Sequence, residues 1–195
     1  MEAIYFKIFL YIIIVMSAVI HEYFHAWTAN RLGDPTAKIN KRLTLNPLPH
    51  LDLMGTVIIP LFLLFSFGGF IGWAKPVPVN PYNFRNQKQG TFLTSIAGPL
   101  ANFILAAAFG LFLRFFSFIP QEMAFFLALV VYINIFLGLF NLLPIPPLDG
   151  SKLFSSYLPG GFIGIFLALL VAILALPYAS DLMYKGIVGQ EFIFF

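Results

Sequence analysis

Residues 19–26 read Val-Ile-His-Glu-Tyr-Phe-His-Ala, which sets His21, Glu22 and His25 in a His-Glu-x-x-His pattern. On a helix, residues four apart share a face, so His21 and His25 can each offer a ring nitrogen to one metal ion. Glu22 lies one residue from the first histidine and three from the second. It can take a proton from water activated by the ion without itself being a ligand. This is the layout of a hydrolytic zinc site with one Zn2+ ion. The competing reading is a pair of surface histidines just past a membrane helix.

The setting argues for chemistry. The three ionisable side chains come directly after an apolar run from Ile8 to Ile20, and such groups are costly in hydrocarbon unless they are used. Of the 195 residues, 60% are hydrophobic and 10% charged, with a mean hydropathy of +0.91. Soluble domains carry about 25% charged residues, so the chain is read as an integral membrane protein with a single domain over residues 1–195. Cysteine is absent, which removes disulfides and thiolate ligands and leaves His, Asp and Glu to hold a metal. A net charge of +3 without a dense basic run offers no surface for nucleic acid. The start Met-Glu-Ala lacks the positive flank of a removable signal peptide.

The expected fold is an all-α polytopic membrane protein. It has about four transmembrane helices, a short re-entrant or fifth apolar segment, and a small extended or β-like region after the first helix. The first helix is expected from about Ala3 to Leu32, ended by Gly33 and Asp34-Pro35. At ~1.5 Å per residue it exceeds the ~30 Å hydrocarbon core, which puts His21 inside the membrane near its second face. Arg31, Lys38, Lys41 and Arg42 then stand against Asp34 alone, so this loop is cytoplasmic by the positive-inside rule. The localisation implied is a cell (plasma or inner) membrane, multi-pass, with the site near the cytoplasmic side. Thr36 to Leu53 alternates loosely and carries Pro47 and Pro49, which suggests short strands or extended backbone able to pair with an extended substrate. His50 and Asp52 lie within it, either as supports behind the site or as an exposed polar pair. Thr56 to Ile71 is short for a span, and the loop after it is again basic, with Lys75, Arg85 and Lys88; a segment between two cytoplasmic loops must dip and return. Spans are expected at Thr91 to Phe118, Met123 to Leu143 and Phe162 to Ala179.

Catalytic zinc takes three protein ligands and keeps a fourth position open. Among the remaining carboxylates, Asp149 alone comes after a proline-broken helix end in a membrane context, Asn141-Leu-Leu-Pro-Ile-Pro-Pro-Leu-Asp149-Gly150. If Thr56 to Ile71 does not cross, the Met123 span runs towards the cytoplasm and brings Asp149 to the face reached by the histidines. The alternative is a turn or capping aspartate before Gly150. The oxyanion formed in hydrolysis needs donors, for which the amides of Asn102 and Asn141 are candidates; helix–helix hydrogen bonding is the other use for them.

His21-Glu-Tyr-Phe-His25, the stretch Ala97 to Asn102 and Asn141 to Gly150 together resemble the three signature regions of the site-2 protease family of intramembrane zinc metalloproteases. Gly72-Trp-Ala-Lys-Pro-Val-Pro-Val-Asn80 resembles its small prokaryotic-type members. The likeness covers roughly residues 15 to 155. It implies that His21, His25 and Asp149 bind zinc, that Glu22 is the general base, and that Asn102 and Asn141 contact substrate. The implied partners are the lipid bilayer and single-span membrane proteins or peptides, cut within it. No stretch has the length of the PDZ insertion of regulatory members. From another class, the alternative is a non-proteolytic membrane metal-binding or transport protein, which would have no use for Glu22 and would show paired repeats. An inactive helix-binding scaffold would not need the full ligand set. Neither Gly-x-Ser-Gly nor Gly-x-Gly-Asp occurs, which excludes serine and aspartyl intramembrane chemistry.

Overall fold

The computed structural model describes residues 2–67, 72–116, 118–154 and 162–191, except the side chains of 2, 3, 64, 67, 154 and 162–173. Seven helices are described: α1 (Glu2–Arg31), α2 (Thr36–Ile39), α3 (Ile59–Phe67), α4 (Gln87–Phe115), α5 (Gln121–Asn141), α6 (Asp149–Phe154) and α7 (Phe162–Val188). A π-helical turn at Leu53–Ile58 leads into α3, and 3-10 turns occupy Leu48–His50 and Pro81–Asn83. Among the described residues α1, α4 and α5 are long and apolar enough to cross a membrane. The fourth expected span falls on α7, whose side chains 162–173 lie outside the described residues. Two compact units divide the chain, Met1–Thr94 and Ser95–Phe195.

In the first unit, α1 ends on Gly33 at φ 111°. Asp34 N donates to Ala29 O at 2.9 Å and Gly33 N to Asn30 O at 3.4 Å, the paired closing bonds of a glycine C-cap. The Asp34 carboxylate then gathers two later pieces of chain onto the end of α1. It accepts from Thr36 N (3.1 Å) and the Thr36 hydroxyl, from Asn83 Nδ2 (2.8 Å) and from Asn80 N (2.7 Å). Burial works to raise its pKa, but these donors favour the charged form and hold it below the ordinary carboxylate value.

The extended or β-like region expected after α1 is replaced by helical turns, and no strand occurs among the described residues. Local side-chain bonds outcompete strand pairing here. Asp34 starts α2, and Asn46 Oδ1 accepts Leu48 N at 3.1 Å to open the proline-containing turn. At the end of α2, Lys41 takes φ 56°, a left-handed conformation that costs a non-glycine residue roughly 1–2 kcal/mol. Lys41 N bonds Lys38 O and Arg42 N bonds Ala37 O at 2.8 Å. Arg42 emerges buried.

The segment from Thr56 towards Ile71 has its flanks tied together. Trp73 N donates to Gly55 O at 2.9 Å, and the Thr56 hydroxyl donates to Trp73 O at 2.8 Å; residues 68–71 lie outside the described residues. A crossing of ~30 Å cannot begin and end at hydrogen-bonded residues, so the chain leaves and returns at one level. That level is set by Tyr11 of α1, whose hydroxyl donates to Thr56 O at 2.9 Å. Gly55 is required there, because a Cβ would sit 2.2 Å from the Trp73 ring.

In the second unit, Ala106, Ala128, Val131, Ile135, Tyr184 and Val188 form the core. Glycines set the helix spacing: a Cβ on Gly138 would meet the Phe103 ring at 2.6 Å, and one on Gly110 would meet Ile187 at 2.4 Å. Gly150 sits under the carbonyls of Leu142 and Leu143, where a Cβ would approach to 2.1 Å.

Because the chain has no cysteine, Lys38→Cys and Lys88→Cys each carry a single exposed thiol. Both should react with a membrane-impermeant maleimide from the same side of sealed vesicles. Labelling from opposite sides would refute the returning segment.

Candidate metal centre

Apolar residues keep α1 helical up to its glycine stop, so His21 and His25 fall one turn apart on one face. Both are buried. Their rings meet edge to face, 4.6 Å between centroids, with the two Nε2 atoms 3.0 Å apart. His25 Nδ1 lies 2.6 Å from Thr94 O. A carbonyl can only accept, so Nδ1 carries a hydrogen and donates it to Thr94 O, which turns Nε2 towards His21. A ligating histidine uses its second nitrogen in this way. Ligand atoms of His21, Glu22 and His25 lie within 4.8 Å of one another. Two ligands at 2.0–2.1 Å around a tetrahedral ion are separated by about 3.3 Å, so the two nitrogens fit one zinc ion with little adjustment.

Glu22 is held from the other side. Its Oε2 accepts the Val77 N–H at 2.7 Å, which leaves Oε1 for another proton.

Asp149 is the first residue of α6 in the second unit. It is buried, with Lys152 Nζ 3.1 Å from its Oδ1. Asn102 Nδ2 donates to Asn134 Oδ1 at 2.8 Å, and Asn134 Nδ2 to Val130 O at 2.9 Å; that hydrogen of Asn102 holds α4 to α5. Asn141 Nδ2 donates to Leu137 O of its own helix. His50 is fully buried, with Nε2 2.9 Å from Thr44 O, and its carbonyl accepts Lys75 N at 3.0 Å. Asp52 Oδ1 accepts Gly55 N at 2.6 Å and caps the turn at Leu53–Ile58. His50 and Asp52 thus anchor the loop. Thr94, Val77, Arg42 and Asn134 escape a sequence-based search because their partners lie tens of residues away; the only local signals are Pro76 and Pro78, which leave Val77 the one N–H between them.

The sequence profile of Peptidase family M50 matches residues 9–122 and 116–164. This chain belongs to peptidase family M50. As an M50 member, the site-2 protease family, it is a membrane metalloprotease of a family that uses zinc. YwhC of Bacillus subtilis (strain 168) is 41% identical over 166 residues, which cover 78% of this chain and 70% of YwhC. Rip2 of Mycolicibacterium smegmatis is 34% identical over 148 residues, covering 74% of this chain and 55% of Rip2. Both have zinc metalloprotease in their names, as does MJ0392 of Methanocaldococcus jannaschii, 26% identical over 149 residues. The chain spans 70% of YwhC and just over half of Rip2. No solved structure matches it.

Burial lowers the pKa of His50, the Thr44 carbonyl raises it, Arg42 lowers it and Glu22 raises it; burial prevails and the ring is held neutral. The unfolded chain, with its histidine near 6.5, binds the proton first as pH falls. Stability is therefore complete above pH ~6.5 and declines as pH drops from there towards the lower folded value. His50→Gln, which keeps a donor for Thr44 O, should flatten this stretch of the thermal-midpoint profile in detergent; an unaltered profile would show that His50 is not its source.

Proposed function

We propose that this chain is an intramembrane zinc endopeptidase of the site-2 type that hydrolyses peptide bonds of transmembrane-helix substrates within the bilayer. The observation that carries it is a buried His-Glu-x-x-His pair of imidazoles with converging Nε2 atoms, on a helix long and apolar enough to span. His21 and His25 hold the ion through these atoms, and Asp149 is the third ligand. When bound, zinc supplies Lewis acidity, polarising a peptide carbonyl and drawing the pKa of water towards ~7.

Glu22 accepts the proton of the attacking water and returns it to the leaving amine. Its tether to Val77 N–H directs the free oxygen to that task. A metal carrier would gain nothing from such a tether. Residues 1–195 act as one protease domain, multi-pass in the cell membrane, with the site near the cytoplasmic side. Supporting this orientation are the basic residues after α1 and before α4. The partners are the lipid bilayer and single-span membrane proteins or peptides as substrates.

Glu22→Gln should keep one zinc per chain and lower cleavage of a helical membrane substrate by about 10²–10⁴-fold. His21→Ala and Asp149→Ala should lose the metal, measured as zinc per purified chain. Full turnover by Glu22→Gln would overturn the mechanism, and a full zinc complement in Asp149→Ala would remove that residue from the ligand set.

A further inference from the structure

Among the described residues Arg42 is the one buried lysine or arginine. The turn that closes α2 carries it inward, and its Nη2 donates to Lys75 O at 2.5 Å and to Pro76 O at 3.4 Å. Its Nε has no hydrogen-bond partner, and no described ion pair involves it. Burial lowers its pKa, and the charge of Glu22 raises it again. A buried cation without a direct counter-ion is costly, and loop anchoring alone would be met by a neutral donor.

The geometry of one peptide unit explains the charge. Pro76 C=O and Val77 N–H belong to the same planar amide. One end of that plane receives Arg42, and the other donates to Glu22 Oε2 at 2.7 Å. Pro76 and Pro78 have no N–H, so neither neighbour can replace Val77 as donor. Lys75 is gripped on both sides, its N–H by His50 O and its carbonyl by Arg42. A bond at the carbonyl polarises the amide and strengthens the bond its N–H makes.

Resting on the proteolytic role of Glu22 given above, we infer that Arg42 is a positioning residue for that base: it orients the Pro76–Val77 peptide plane, and the plane holds Glu22. Arg42 acts on the reaction through this amide and touches neither metal nor substrate.

The test uses the full chain in detergent with a helical membrane substrate, reading kcat, KM, zinc per chain and the thermal midpoint. Arg42→Gln should lower kcat about 10- to 100-fold, the range for groups that orient a site from behind, with KM and zinc content unchanged. Arg42→Lys, which keeps the charge and loses the planar fork, should fall between it and the wild type. Val77→Pro removes the N–H directly, and combined with Arg42→Gln it should lower kcat no further than the larger single effect. Wild-type kcat in Arg42→Gln, a loss confined to KM or zinc, or multiplying effects in the double variant would each overturn the inference. If Arg42→Gln or Val77→Pro does not fold, Arg42→Lys decides, and a folded Arg42→Lys at wild-type kcat overturns it. Glu22→Gln in the same assay separates the two proposals: activity there sinks the proteolytic mechanism, whereas its inactivity beside a fully active Arg42→Gln sinks only the positioning role.

Discussion

A buried neutral imidazole can present a bare nitrogen to a metal only when its other nitrogen has somewhere to give its hydrogen. For His25 that acceptor is the Thr94 carbonyl, 2.6 Å away and 69 residues along the chain. The rest of the first unit makes sense around that constraint. Within α4, Pro99 has no N–H for Ser95 O, so the helix ladder is opened one residue from the carbonyl that His25 uses. The bond to Thr94 fixes the tautomer as well as the ring's direction, and the His21 ring can meet it nitrogen to nitrogen.

The backbone between α1 and α4 has to bring polar backbone groups beside an apolar helix and give them partners within the protein. It does so with irregular chain rather than strand. Asp34 collects donors at the foot of α1, Arg42 and His50 grip residue 75 from two sides, and Tyr11 meets Thr56 further up. Non-helical backbone is tolerated beside a span when every such group is met within the protein. The same bonds that satisfy residues 73–77 carry Val77 N–H to Glu22.

The helices were largely legible because their signals are local. Expected ends for α1, Ala3 to Leu32, differ by one residue from Glu2–Arg31, since a glycine stop is a short-range event. The start of α4 comes four residues before the expected Thr91, because Asn86 caps it through Gln89 N, a bond hidden in a polar loop. Thr36 to Leu53 misled: its loose alternation resembles a strand, yet the Asp34 and Asn46 side chains draw the backbone into turns. Asn102 was recognisable as a buried amide in need of a partner, but Asn134 as that partner was not.

By itself, the amino-acid order determined that His21 and His25 share one helix face beside Glu22, because a separation of four residues on a helix sets one face whatever the surroundings. It also set the membrane class, through composition alone. Only the tertiary structure decided what holds those groups in place: Thr94 behind His25, Val77 behind Glu22 and Arg42 behind the peptide between. Each of these contacts joins residues 33 or more positions apart. Periodicity reports only on neighbours within a few turns, so such pairings exist as physical facts once the chain has closed its long loops.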